Sequence, residues 1–180
     1  MTNELSNSDA KASDAVIEAL CTSAKSADNI AAVCVHSNAL AVAKQHLAGS
    51  AIKLAAILNT EGSEKTLDLE KQAAEAVANG ADEIEMVLPS KIFTSGRPGY
   101  TETQIIRVKR ACGGTPLKIV LETAELDGTT GLKAAAILAL EAGADLLKST
   151  SVGDQATTDI LLSSITSAGK HAGLRTSATV

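Results

Sequence analysis

The chain has 180 residues, a formal net charge of -5, 45% hydrophobic residues and only 1% aromatic ones. That length holds one domain with a substantial core, here built from Ala, Leu, Ile and Val, and is too short for two ordinary domains. An acidic balance without a basic run or stacking aromatics argues against a nucleic-acid partner. No apolar stretch approaches the roughly 20 residues of a membrane span. The start of the chain lacks the basic and apolar regions of a signal peptide, so it reads as cytoplasmic. Cys21, Cys34 and Cys112 are odd in number and widely spaced, which fits reduced thiols rather than a disulfide framework or a zinc site.

Residues 1–13 are rich in Ser, Asn, Ala and Asp without periodicity, and the pattern predicts a flexible arm there. From Asp14 onward helices and strands alternate. Helices are expected over Asp14–Ser26, Ala39–Leu47, Lys65–Asn79, Thr101–Cys112, Thr129–Ala142 and Thr157–His171. Strands are expected over Ala32–His36, Ile52–Leu58, Glu83–Leu88, Leu117–Glu122, Asp145–Thr150 and Gly173–Val180. The segments Ala78-Asn-Gly-Ala-Asp82 and Glu141-Ala-Gly-Ala-Asp145 echo one another, each ending a helix with Gly and entering a strand through Ala-Asp. About six βα units follow, so residues 14–180 form an α/β domain, either a doubly wound sheet or most of a TIM (β/α) barrel.

The strand faces favour the barrel. Alternation puts Ile84, Met86 and Leu88 on one face and Glu83 and Glu85 on the other. Leu117, Ile119 and Leu121 likewise oppose Lys118 and Glu122, Lys148 and Thr150 repeat the pattern, and Arg175 follows Leu174. A flat sheet covered on both sides by helices would require apolar strands, whereas a barrel mouth accepts charges. Lys148 lies in the apolar run Gly143-Ala-Asp-Leu-Leu-Lys-Ser-Thr150. A buried ammonium is costly, and a lowered pKa that leaves a neutral, nucleophilic amine is the usual escape, which is Schiff-base chemistry. The alternative is a lysine whose stem packs along the strand end while its head reaches water.

The segments Ala32-Val-Cys-Val-His36, Gly80-Ala-Asp-Glu-Ile-Glu-Met-Val-Leu-Pro89, Leu117-Lys-Ile-Val-Leu-Glu-Thr123 and Gly143-Ala-Asp-Leu-Leu-Lys-Ser-Thr150 stand in an order and spacing that resembles the deoxyribose-phosphate aldolases, class I aldolases on a TIM barrel. The resemblance covers roughly Asp14 to Val180. It implies reversible cleavage of 2-deoxy-D-ribose 5-phosphate to glyceraldehyde 3-phosphate and acetaldehyde, without a cofactor, with Lys148 as the imine-forming residue. Glu85 stands where the family has a proton-relaying aspartate, and Arg175 where it has a second lysine. Arg175 together with partial burial is expected to lower the pKa of Lys148, while Glu85 and Glu122 pull the other way by favouring the ammonium. The family's phosphate-holding glycine pair is replaced around Ser177-Ala178-Thr179. The family's first and eighth strands have no assigned counterpart, which predicts an incomplete barrel with two open strand edges, covered by a homo-oligomeric partner or by the N-terminal arm. These departures predict imine formation with weak turnover and little preference for phosphorylated substrates.

Lys118, Glu122, Thr150 and Cys34 are candidate supporting or substrate-binding residues, with Cys34 also readable as core packing. Three isolated histidines imply no metal site. Two functions follow: a Schiff-base lyase acting on small aldehydes and sugar phosphates, or a non-catalytic aldolase relative serving as an interaction or oligomerisation module.

Overall fold

In the computed structural model, which describes residues 2–62, 64–151 and 153–177, seven parallel strands close into a barrel in the order β1 to β7. The strands are β1 (Thr2–Asn7), β2 (Ile30–His36), β3 (Lys53–Leu58), β4 (Glu83–Val87), β5 (Leu117–Leu121), β6 (Leu146–Ser149) and β7 (Gly173–Ser177). Seven helices lie between or beside them: α1 (Asp14–Ser26), α2 (Leu40–Leu47), α3 (Thr66–Ala78), α4 (Ser90–Thr94), α5 (Pro98–Ala111), α6 (Gly128–Glu141) and α7 (Gln155–Ser167). The barrel expected from the charged strand faces is therefore present. Among the described residues, no helix is long and apolar enough to cross a membrane.

Two expectations are corrected. Within the segment read as a flexible arm, Thr2–Asn7 forms β1, paired in parallel with β2 on one side and β7 on the other. Its apolar signal is a single residue, Leu5, which packs into the shell between sheet and helices, while Glu4 turns into the lumen. A six-residue segment with one apolar side chain thus becomes a strand because the two flanking strands supply backbone partners and the lumen supplies counter-charges. Consequently the two open edges expected at the ends of the strand series are joined through β1, and the barrel closes with seven strands rather than six. The last three residues of the expected run Gly173–Val180, Ala178 and Thr179 of the replaced glycine pair among them, lie outside the described residues.

Alternation sorts the apolar residues into two bodies. The outer one, between barrel and helices, gathers Val33, Val35, Leu54, Ile84, Met86, Leu117, Ile119, Leu121, Leu147 and Leu174 with the inward faces of the helices. The inner one lies in the lumen and contains Cys34, Ala55, Ile57, Val87 and Val120. Cys34 and Ala55 are small, which leaves room for the long charged side chains of β1, β4, β5, β6 and β7 to meet inside a ring of only seven strands.

The repeated Gly-Ala-Asp has a structural role. Gly80 and Gly143 take φ of 89° and 105° after α3 and α6, a region that favours glycine. The following aspartates then clamp neighbouring strand starts. Asp82 donates its N–H to the Leu54 carbonyl and accepts from the Leu54 N–H at 2.9 Å, and Asp145 does the same with Leu117, accepting at 2.7 Å. Each clamp fixes the register of the strand that carries lumen charges, where a one-residue slip would turn those charges into the helix layer.

If β1 is an integral stave, Leu5→Ala should lower the unfolding free energy by about 2–4 kcal/mol in urea titration. The amides of residues 4–7 should then exchange with solvent as slowly as those of β2. Free exchange across this segment with no loss of stability would contradict it.

Candidate active site

The lumen is ionic. Among the described residues, three carboxylates (Glu4, Glu83, Glu85) and three cations (Lys118, Lys148, Arg175) are buried inside the barrel, none more than 4% exposed. Register explains their meeting: Glu85 lies opposite Lys118 across β4 and β5, and Lys148 opposite Arg175 across β6 and β7. Glu4 enters from β1 to complete the set.

Lys148 donates from Nζ to Glu4 Oε1 at 2.6 Å and to Glu85 Oε1 and Oε2 at 3.1 and 3.3 Å. Lys118 Nζ pairs with the other oxygen of Glu4, with Glu85 Oε2 at 3.1 Å and with Glu83 Oε2 at 3.2 Å. The two lysines and Glu4 and Glu85 therefore form a closed ring in which each carboxylate holds both ammonium groups. A lower tier lies toward the N-terminal ends of the strands. There Glu83 receives Arg175 at 2.6 Å and, from the rim, the half-exposed Lys53 at 3.7 Å. Arg175 Nε is buried without a hydrogen-bond partner among the described residues.

These contacts set the protonation states. Burial pushes the Lys148 pKa down, but Glu85 and Glu4 outweigh it and hold the amine above the ordinary lysine range. Lys118 behaves the same way, and its pKa is raised. Burial alone would raise Glu85, yet Lys118 and then Lys148 lower it to about 2. Glu4 moves the other way: burial, followed by the charge of Glu85, raises its pKa against the pull of the lysines. Of the two carboxylates, Glu4 is the one that takes up a proton more readily.

A cavity of about 250 Å³ opens at the C-terminal ends of the strands. Lys148 and Glu85 line it together with Ile57, Val87 and Val120, and Ser6, Thr150, Glu122 and Ser177 complete its wall. A smaller polar pocket of about 140 Å³ adjoins it, sharing Thr60 and Glu122 and adding Glu61, Lys91 and Glu125. Burial, then the neighbouring Glu125, raises the Glu122 pKa. This is where barrel enzymes carry their chemistry.

Of the residues predicted from sequence, Lys148, Glu85, Lys118 and Arg175 share the lumen, and Glu122 and Thr150 stand at its mouth. Cys34 Sγ sits within 4.8 Å of carboxylate oxygens of Glu4 and Glu85. The same oxygens are engaged by the two ammonium groups, which fill the role a metal ion would play between them. Two expectations fail. The Arg175 guanidinium pairs with Glu83, and Arg175 is not among the charges that govern the Lys148 pKa. The Lys148 pKa is accordingly raised rather than lowered, since two carboxylates face it instead of a cation. Glu4 was not foreseen, its only sequence signal being the Glu4-Leu5 alternation in a segment without further periodicity. Glu83 was placed on the charged face but not paired.

A parallel barrel with a buried lysine and carboxylates beneath a C-terminal cavity has the architecture of a (β/α)-barrel enzyme. The chain matches the DeoC/LacD family aldolase model over residues 2–174 and belongs to that family. Its reaction class is that of an aldolase-type lyase. It is similar to a structure from Coccidioides immitis assigned by name to deoxyribose-phosphate aldolase, at 25% identity and a TM-score of 0.83, covering 98% of this chain and 70% of the other. A structure from Toxoplasma gondii ME49 with the same assignment gives 25% identity and a TM-score of 0.81, over 92% and 67% of the two chains. The tetrameric deoxyribose phosphate aldolase from Aeropyrum pernix shares the fold at 19% identity and a TM-score of 0.74, over 99% and 76%.

Because Glu85 is depressed in the folded state, its contribution to stability is present above its unfolded pKa of about 4.3 and is lost as pH falls toward about 2. Glu85→Gln should flatten the decline of the urea midpoint across that window. An unchanged decline would contradict the ring as the origin of the shift.

Proposed function

We propose that this chain is a lysine-imine aldolase that cleaves and forms 2-deoxy-D-ribose 5-phosphate, with glyceraldehyde 3-phosphate and acetaldehyde as the other reactants. The observation that carries this reading is Lys148: a nearly buried amine on the wall of the C-terminal cavity, in hydrogen-bond contact with two carboxylates. The named relatives supply the substrate.

In the cleavage direction, Lys148 gives a proton to an adjoining carboxylate, and its nitrogen lone pair bonds to the substrate carbonyl carbon. The carbonyl oxygen takes up protons and leaves as water, so that ammonium plus aldehyde become a protonated imine plus water. The bond between the second and third carbons then breaks. Its electron pair flows toward the imine to give an enamine, while the hydroxyl on the third carbon loses its proton and becomes the aldehyde of glyceraldehyde 3-phosphate. Protonation of the enamine carbon and hydrolysis release acetaldehyde and restore Lys148. Glu4 and Glu85, both within reach of Nζ, and water are the groups that carry these protons. The apolar wall of Ile57, Val87 and Val120 suits the methyl-bearing two-carbon fragment. Glu122, Thr150 and Ser177 are placed to meet the hydroxyl-bearing remainder.

Incubation with acetaldehyde and borohydride, followed by peptide mapping, should place a reduced adduct on Lys148, and Lys148→Met should abolish both adduct and deoxyribose-phosphate cleavage. An absent adduct with an intact fold would favour the alternative of a non-catalytic relative. An adduct on another lysine would reassign the nucleophile.

A further inference from the structure

Two buried lysines grip the same two carboxylates, and they are not equivalent. Lys148 lines the cavity and has two carboxylate partners, whereas Lys118 is fully buried, lines no part of that cavity and has three. Glu4 is divided between them, one oxygen to each lysine, while Glu85 Oε1 lies 3.1 Å from Lys148 and its Oε2 is shared by Lys118 at 3.1 Å and Lys148 at 3.3 Å.

For Lys148 to act as a nucleophile its proton must go to a group that tolerates it. Transfer to Glu4 Oε1, 2.6 Å away, converts ammonium and carboxylate into amine and carboxylic acid without net charge change. What remains of the ring is then Lys118 and Glu85, an ion pair that stays matched only if Lys118 keeps its charge. Were Lys118 absent, two carboxylates would face a single ammonium, and removing that ammonium's proton would leave buried negative charge uncompensated. We infer that Lys118 is a positioning residue that remains an ammonium throughout the reaction, holding Glu85 ionised so that a proton can pass between Lys148 and Glu4. The inference rests on the lysine-imine reading and adds a division of labour to its first step: Glu4 takes the proton of Lys148 while Glu85 and Lys118 remain a charged pair.

The groups facing this ring from the other strands agree with the assignment. Cys34 on β2 is a buried thiol whose pKa is raised, first by burial and then by Glu85 and Glu4, so it supplies no charge. β3 presents Ala55 and Ile57 to the lumen, with Lys53 at the far rim on Glu83. Glu83 on β4 is engaged by Arg175 from β7 as well as by Lys118, and Glu122, beyond the end of β5, lies at the cavity mouth. Lys118 is thus the cation that bridges the lower tier to the ring.

The test is the pH dependence of acetaldehyde adduct formation on Lys148 in the full chain, trapped with cyanoborohydride and read by peptide mapping. In Lys118→Met the rising limb of the rate should move to higher pH by about one unit or more, an approximately tenfold loss of rate on that limb, and Lys118→Arg should return it toward the wild-type position. Glu4→Gln should move the limb to lower pH, because it removes a carboxylate that favours the ammonium. Circular dichroism confirms folding of each variant. An unchanged limb in folded Lys118→Met, or an unchanged or upward limb in Glu4→Gln, overturns the inference. If Lys118→Met does not fold, the Glu4→Gln shift and the Lys118→Arg limb decide it alone. Absence of any Lys148 adduct in the wild type would instead refute the imine reading, so the two failures are distinguishable.

Discussion

The structure depends on mutual neutralisation of charges that have been removed from water. Three carboxylates and three cations share the barrel lumen, and each would be intolerable alone: an unpaired ion in such an interior costs several kcal/mol or more. Because every partner comes from a different strand or tier, neutralisation requires the whole ring of strands in register. A one-residue slip of β4 or β5 would drive Glu85 or Lys118 into the apolar shell. The ionic lumen thus specifies the barrel as well as furnishing its chemistry, and the small residues Cys34 and Ala55 make space for it.

Much of this was legible in the sequence, for a definite reason. Where a strand alternates Ile-Glu-Met or Leu-Lys-Ile, period-two patterning names both the buried face and the lumen face, so the positions of Glu85, Lys118 and Lys148 followed directly. Glu4 escaped because β1 has one apolar outward residue, too few to establish a period, and its strand character comes from β2 and β7 rather than from its own composition. Missing Glu4 had two consequences. The barrel looked incomplete, and the balance at Lys148 between Arg175 and the carboxylates looked tilted toward the cation. The direction of Arg175 was illegible for a different reason: its backbone position beside Lys148 follows from register, but where a long flexible side chain ends depends on the counter-charge it finds. Glu83 sits nearer the N-terminal end and captures it.

The outcome bears on how Lys148 would act in the proposed imine chemistry. A lysine depressed by a neighbouring cation would rest as a free amine. Lys148 instead rests as an ammonium held by two carboxylates, with Glu4, the more proton-receptive of the two, in direct contact. On the proposed imine reading, activation is a short proton transfer inside the ring, coupled to substrate arrival, and not a standing property of the lysine. Membership of the DeoC/LacD aldolase family, established over residues 2–174, gives this arrangement its chemical context.

The most direct measurement of this account is a pH titration of the lysine side-chain nitrogens by ¹⁵N NMR, with Lys148 assigned by its loss in Lys148→Met. The account predicts that Lys148 remains an ammonium in the resting protein to above the ordinary lysine pKa of about 10.4. A Lys148 resonance that titrates near or below pH 8 would show a lysine that rests as the free amine, and would contradict the carboxylate ring as the element that governs it.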